Sequence, residues 1–261
     1  MHQDDPIVRC ASQLSWVGAT GSSLLEENRP IRQDKPEIQD YRTLAAEYDR
    51  LRYVGQVNLL NEGFRRRALV RLLPNDAERA LDVACGTGRG VLMLQERSRL
   101  VVGVDGTLDM LRHARGKTRD MAAFYCRANG AQLPFPDDTF DLVTCLNFLH
   151  LFPEKSAKVA FVLEAARVLK RGGTAIFEFD NALHGLLLGP FRKYFGKDIG
   201  YDWPWTVHSC FAADTFRSVT VLGANIPFVW RVPPLRGLES AALVFPFKYL
   251  ANRLFVRAVR R

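Results

Sequence analysis

Gly86, Gly88 and Gly90 alternate directly after the apolar run Ala80–Ala84. A strand, a glycine loop and a helix in that order bring bare backbone up to a ligand at a helix N-terminus. Two carboxylates flank the loop. Asp82 stands inside the apolar run, and Asp105 closes the next one, Leu100–Asp105, 19 positions after Gly86. A carboxylate at that place can accept both hydroxyls of a ribose. It could also cap the helix that follows, but loop and acid together favour a nucleoside ligand. The nicotinamide fingerprint would be G-x-G-x-x-G, and the chain has G-x-G-x-G instead. For proton transfer the candidates are His150, His184 and His208, by their pKa range. Any lone histidine also suits a structural place.

Alternating elements must position these residues. One helical pattern starts near Gln39, with Tyr41, Leu44, Ala45, Tyr48 and Leu51 on one face. A second, about Gln56 to Leu73, carries Arg65-Arg66-Arg67 and stops at Pro74-Asn75. Strands follow at Ala80–Ala84, Leu100–Asp105, Ala122–Arg127, Thr139–Leu146 and Thr174–Phe179. Helices alternate with them at Arg89–Arg97, Leu108–Arg115 (ended by Gly116) and Ser156–Leu169 (ended by Arg171-Gly172-Gly173). Continuous apolar strands separated by helices predict a parallel sheet covered on both faces. Beyond Asp180 the pattern predicts a helix over Ala212–Leu222, strand-like Ile226–Val232, a helix over Leu238–Phe245 and a last strand, Leu254–Val259.

Four ordered blocks carry a family resemblance: L-D-V-A-C-G-T-G at 81–88, V-V-G-V-D at 101–105, L-P-F-P-D-D-T-F-D-L-V at 133–143 and A-R-V-L-K-R-G-G at 166–173. In these the chain resembles class I S-adenosylmethionine-dependent methyltransferases, in the small-molecule branch that includes the ubiquinone and menaquinone biosynthesis enzymes. The resemblance implies an α/β, Rossmann-like, doubly wound fold. Its seven-stranded sheet would be mostly parallel, with helices on both faces and a final antiparallel strand. It implies S-adenosyl-L-methionine as methyl donor. Asp82, Ala84, Gly86 and Gly88 would flank the amino-acid half of the donor, and Asp105 would hold its ribose. Gly106 and Met110 would line the adenine side. Asn129, with Gly130 beside it, stands where the family places an acid that accepts from the adenine amine; its carbonyl can still accept, as a neutral contact. Leu146 and Asn147 would face the methionine and sulfonium. His150 is what remains of a family L-H-H sequence, and Tyr48 resembles a tyrosine that closes over the donor in these relatives.

The acceptor is predicted to be a small, apolar or aromatic molecule, methylated on oxygen, nitrogen or carbon. A substrate cap insertion is expected at about 181–208, where Phe191, Tyr194, Tyr201, Trp203 and Trp205 would line its pocket. An ordinary lid with an apolar underside would look the same. Nucleic acid is an unlikely partner, since the loops that amino- and cytosine-methylating enzymes carry are absent. Two alternatives stay open: a membrane-associated lipid or quinone methyltransferase, for which the apolar and basic tail speaks, and a non-catalytic scaffold that keeps the fold.

Composition frames these readings. A chain of 261 residues, 48% hydrophobic, can fill one large α/β core. Residues 37–261 are expected to form the methyltransferase domain, with N-terminal helices at about 39–73. Residues 1–36 are expected to be a poorly ordered N-terminal arm; with 37–40 they hold four Arg/Lys against seven acids. From Asn181 onward, eleven Arg/Lys face four acids, a net of +7 that suits an anionic substrate or surface, or simply solubility. The five cysteines show no paired metal-ligand spacing and no metal is predicted. With no secretory signal pattern at the N-terminus, they are read as free thiols in a reducing, cytoplasmic setting.

Overall fold

The computed structural model describes residues 48–49, 56–119, 121–187, 201–226 and 247–261. Its first full element is α1 (Gln56–Leu72). Strands and helices then alternate: β1 (Ala77–Val83), α2 (Arg89–Gln95), β2 (Ser98–Asp105), α3 (Leu108–Lys117), β3 (Ala123–Arg127) and β4 (Phe140–Cys145). After a 3-10 turn at Leu149–Leu151 come α4 (Lys155–Val168), β5 (Leu169–Asp180), α5 (Ala182–Leu187) and α6 (Pro204–His208). The chain closes with β6 (Phe216–Ala224), a 3-10 turn at Phe247–Leu250 and β7 (Arg253–Arg260).

The seven strands form one sheet in the order β3-β2-β1-β4-β5-β7-β6. The first five pair in parallel, and β7 inserts antiparallel between β5 and β6. The chain order reverses at β1, so the crevice beyond its C-terminal end is where an open α/β sheet binds ligands. Each face carries its own apolar layer. Ala68, Leu69 and Leu72 of α1, Val91 and Leu94 of α2 and Leu111 and Ala114 of α3 cover one. Phe161, Val162 and Ala165 of α4, with Val207 and Phe211, cover the other.

Two of the motif blocks lock together rather than touching a ligand. Arg167 donates to Phe135 O at 2.8 Å, Leu133 O at 3.0 Å and Asp137 at 2.7 Å. Glu164 accepts the Leu133 N–H at 2.6 Å. The 133–143 segment is thereby held against α4.

One predicted element is wrong. Ala212–Leu222 was expected to be helical, yet Phe216–Ala224 is the edge strand β6. Val219, Thr220 and Val221 are β-branched and pair with Ala258, Arg257 and Val256 of β7. Gly223 lies inside that strand instead of ending a helix. Gly116 likewise does not end α3, which runs on to Lys117. β5 begins at Leu169, earlier than the expected Thr174, because Leu169 is already extended (φ −72°, ψ 142°) and pairs with Phe140; Gly172 at φ 79° falls in the register shift that follows. The expected 1–36 arm, the Ile226–Val232 strand beyond Ile226 and the Leu238–Phe245 helix lie outside the described residues. Cys85, Cys126, Cys145 and Cys210 are buried free thiols.

Candidate active site

The loop after β1 is built from left-handed backbone. Ala84 (φ 56°), Gly86 (φ 52°) and Gly88 (φ 82°) turn the chain from β1 toward α2. Ala84 adopts this conformation without being glycine, a cost that recurs at functional sites; Asn147, just past β4, does the same at φ 54°. The glycines serve different ends. A Cβ on Gly86 would project into open space, which leaves room for a ligand. One on Gly88 would lie 2.8 Å from the Ala114 Cβ, so Gly88 seats the loop against α3. One on Gly90 would lie 2.2 Å from Asp82 Oδ2, so the missing side chain makes room for that carboxylate.

Asp82 is buried and receives the Thr144 hydroxyl at 2.7 Å. Burial pushes its carboxyl up to about 7, the Thr144 bond opposes this and Asp105 adds to it. Asp105 takes the Gly86 N–H at 2.9 Å on one oxygen and the Thr107 N–H at 2.8 Å on the other. It lies two residues before the α3 N-cap, which is Thr107, so it orders the loop instead of capping the helix in the usual way.

Tyr48, Asp82, Ala84, Gly86, Leu146 and Asn147 line one cavity above β1 and β4. Asp82, Gly86, Leu146 and Asn147 are among the residues expected at the amino-acid and sulfonium end, and Tyr48 is the one expected to close over the donor. Gly88, Asp105, Gly106, Met110, Asn129 and Gly130 are outside its lining. Asp105 joins it through Gly86, whereas Met110 is 3% exposed and packed inward. Asn129 is exposed, and its carbonyl already accepts the Ala131 N–H at 3.0 Å, so a local turn uses part of the capacity assigned to adenine. A Cβ on Gly130 would strike Val83 and Phe161, which makes it a packing glycine.

The opposite wall comes from α1 and was not foreseen. Glu62, Arg65, Arg66 and Leu69 line the cavity, with Arg89, Met93 and Phe255. Arg65 grips the fully buried Glu178 through Nε at 3.0 Å and Nη2 at 2.6 Å, and reaches Glu62 at 2.9 Å. Arg253 adds contacts to Glu178 and Asp180. Burial alone would raise the Glu178 carboxyl, but Arg65, Arg253 and His150 hold it below the usual range. The signals available were Glu178 and Asp180 in an apolar strand and the arginine triplet of α1.

None of the three histidines lines this cavity. His150 is buried in the turn after β4, and its charge helps lower Glu178. His184 lies on α5; burial lowers it to about 4, and its buried Nδ1 has no hydrogen-bond partner among the described residues. His208 is at the end of α6, lowered by desolvation and then by Lys248. Phe191 and Tyr194 lie outside the described residues. Trp203 and Trp205 stack at 4.8 Å with Trp205 63% exposed, and Tyr201 is exposed beside them.

A glycine loop at the switch point of a parallel sheet, with a carboxylate at the end of each of its first two strands, defines a Rossmann-like nucleoside-binding enzyme. Comparison with known proteins narrows the class. Residues 81–177 match the methyltransferase domain family. The demethylmenaquinone methyltransferase of Deinococcus radiodurans is 35% identical over 179 residues, covering 65% of this chain and 73% of that protein. The Staphylococcus saprophyticus protein of that name is 30% identical over 187 residues, covering 65% and 78%. With its Corynebacterium kroppenstedtii counterpart the match is shorter, 45% of that protein's length. In fold, the chain is similar to magnesium protoporphyrin IX methyltransferase of Synechocystis PCC 6803 with bound SAH, at a TM-score of 0.61 and 18% identity over 85% of this chain and 96% of the other. The chain belongs to the class I S-adenosylmethionine-dependent methyltransferases, in the branch that resembles quinone-biosynthesis enzymes. It is an enzyme, and its methyl donor is S-adenosylmethionine.

The residues present fit that donor. The open space at Gly86 would accommodate the amino-acid end, the buried Asp82 carboxylate would suit an ammonium, and the remaining lone pairs of Asp105 would suit a diol. Among the described residues no helix is long and apolar enough to cross a membrane.

Proposed function

We propose that the chain methylates a small aromatic acceptor of quinol type, held between α1 and the C-terminal ends of β1 and β4. The observation that carries this reading is the mixed wall opposite the donor loop. Leu69, Met93, Leu146 and Phe255 supply apolar surface, and Arg65, fixed on buried Glu178, supplies a cation at its edge. An apolar slot with a few placed polar groups is the usual make-up of a small-molecule site. The names of the Deinococcus and Staphylococcus relatives support a quinone-type acceptor.

S-adenosylmethionine supplies a methyl group on a positively charged sulfur, so charge is lost as the methyl leaves. The protein therefore gains most by aligning donor and acceptor and excluding water. In this reading Asp82 and the Gly86 loop orient the amino-acid end, and Asp105 the ribose. Leu146 and Asn147 stand beside the sulfur, and Tyr48 shields it. Met110, Gly106, Asn129 and Gly130 form the adenine side. Tyr201, Trp203 and Trp205 extend the acceptor surface. His150, His184 and His208 lie outside this cavity, so none of them is assigned as base to an acceptor held in it; His184 stays neutral at working pH.

The test is methyl transfer from labelled donor to a panel of reduced naphthoquinones, simple phenols and amines. Label on the reduced quinone, lost in an Arg65→Met variant that still binds S-adenosylhomocysteine, supports the proposal. Label only on amines, or equal label on every phenol, would overturn it.

A further inference from the structure

Tyr48 belongs to the wall of the donor cavity, and the residue beside it is tied down by two contacts whose partners are joined by a third. Asp49 Oδ1 accepts the Thr87 hydroxyl at 2.8 Å. Its other oxygen meets the Lys117 ammonium. Lys117 in turn donates to the Thr87 carbonyl at 2.9 Å. Carboxylate, hydroxyl, carbonyl and ammonium thus close a ring around one residue of the donor loop.

The partners make this more than a surface ion pair. Thr87 is 3% exposed and stands between Gly86 and Gly88. The Gly86 N–H, one peptide away, is held by Asp105. Lys117 is the last residue of α3, where a cation is favoured by the helix dipole. A half-exposed Asp–Lys pair alone contributes little. The hydroxyl and carbonyl bonds add a charged acceptor and a charged donor, which are the stronger kind.

We infer that Asp49 is a positioning residue for donor binding: by gripping Thr87 and Lys117 it holds Tyr48 over the methionine end of the donor cavity. Its effect runs through Tyr48. Holding that ring in place before the donor arrives removes an ordering cost from binding. The inference rests on the placement of the donor in this cavity.

The test is equilibrium binding of S-adenosylhomocysteine to the full chain, with donor KM and kcat measured alongside. Variants are Asp49→Ala, Asp49→Asn, Lys117→Met, Tyr48→Ala and the Asp49→Ala/Tyr48→Ala double, with Asp105→Ala as the site control. Asp49→Ala is expected to weaken binding about tenfold, as loss of one charged hydrogen bond would. Asp49→Asn keeps an acceptor for Thr87 and should weaken it about threefold, as should Lys117→Met, since an exposed ion pair is worth less. Donor KM should follow these changes while kcat at saturating donor stays within about twofold, the pattern of lost uniform binding.

The decisive readout is coupling: with Asp49 already removed, Tyr48→Ala should cost almost nothing further. Independent, multiplying losses in the double variant would overturn the inference, as would unchanged binding in Asp49→Ala. If Asp49→Ala fails to fold, the same cycle is run with Lys117→Met and Tyr48→Ala. Unchanged binding in Asp105→Ala would instead refute the placement of the donor.

Discussion

Gly86 donates its backbone N–H to Asp105 at 2.9 Å, joining the donor loop to the end of the neighbouring strand. In the proposed placement of the donor, the bond ties the carboxylate offered to the ribose to the loop offered to the amino-acid end. Asp105→Ala removes both the diol acceptor and the loop's anchor. Donor affinity should fall about 100-fold, since two charged hydrogen bonds are lost. Isothermal titration with S-adenosylhomocysteine measures it.

Asp82 makes donor binding depend on pH. Its carboxyl is raised to about 7, chiefly by burial, so near neutrality part of it is protonated. The donor's ammonium favours the ionised form, so affinity should rise as pH increases through about 7. Asp82→Asn should weaken binding and flatten that dependence. The unliganded fold has the opposite sign. A carboxyl whose folded pKa is raised stabilises the fold when protonated, and that stability is lost as pH rises through about 7. Melting curves of wild type and Asp82→Asn, run without ligand, should diverge there.

Glu178 has the reverse sign again. Burial opposes ionisation, but Arg65 and Arg253 overcome it and the carboxyl is lowered. Its contribution is present above the ordinary carboxylate range and lost as pH falls through the folded value. Arg65→Met leaves a buried carboxylate short of its bidentate partner. The loss should be about 3–5 kcal/mol, read by denaturant unfolding at neutral pH and shrinking in acid.

Two glycine-to-alanine changes should act in opposite directions. Gly90→Ala puts a methyl 2.2 Å from Asp82 Oδ2, displacing a buried carboxylate. Overpacking of this kind costs about 1–3 kcal/mol, and donor binding should weaken with it. Gly63 lies inside α1 with nothing within 4 Å of its missing Cβ. Gly63→Ala should stabilise the fold by about 0.5–1 kcal/mol. Chemical denaturation of both variants checks the pair.

The parts legible in the sequence were those whose signal is local. The donor loop, the parallel strands and the two carboxylates are contiguous patterns that backbone geometry reads directly. β6 was misread because Phe216–Ala224 has no strict alternation, and its pairing partner, β7, lies far along the chain. The α1 wall was illegible for a related reason: Arg65 and Glu178 are 113 residues apart, and only the folded sheet brings them together. Even so, a carboxylate among Ile176, Phe177 and Phe179 announced a buried cation, because such a charge is rarely left alone. The adenine side was legible in position only. That the Asn129 carbonyl closes a turn on Ala131 depends on local backbone no motif specifies.

The place where the chain leaves β5 is also where it comes back. Asp202 donates its N–H to Asp180 O at 2.8 Å, and Ala182 donates to Asp202 O at 2.9 Å. Asn181 spans to the carbonyls of Tyr249 and Ala251 at 2.7 and 2.8 Å, and buried Lys158 grips Asp202 from α4. Ala182 and Asp202 therefore meet at a closed neck. Doubling a loop closed at its base costs only about 0.6 kcal/mol in chain entropy. Residues beyond the neck can be exchanged or lengthened with little strain reaching the sheet that carries the donor. For an engineer, the neck is a splice point at which the intervening segment can be exchanged with the sheet left unchanged.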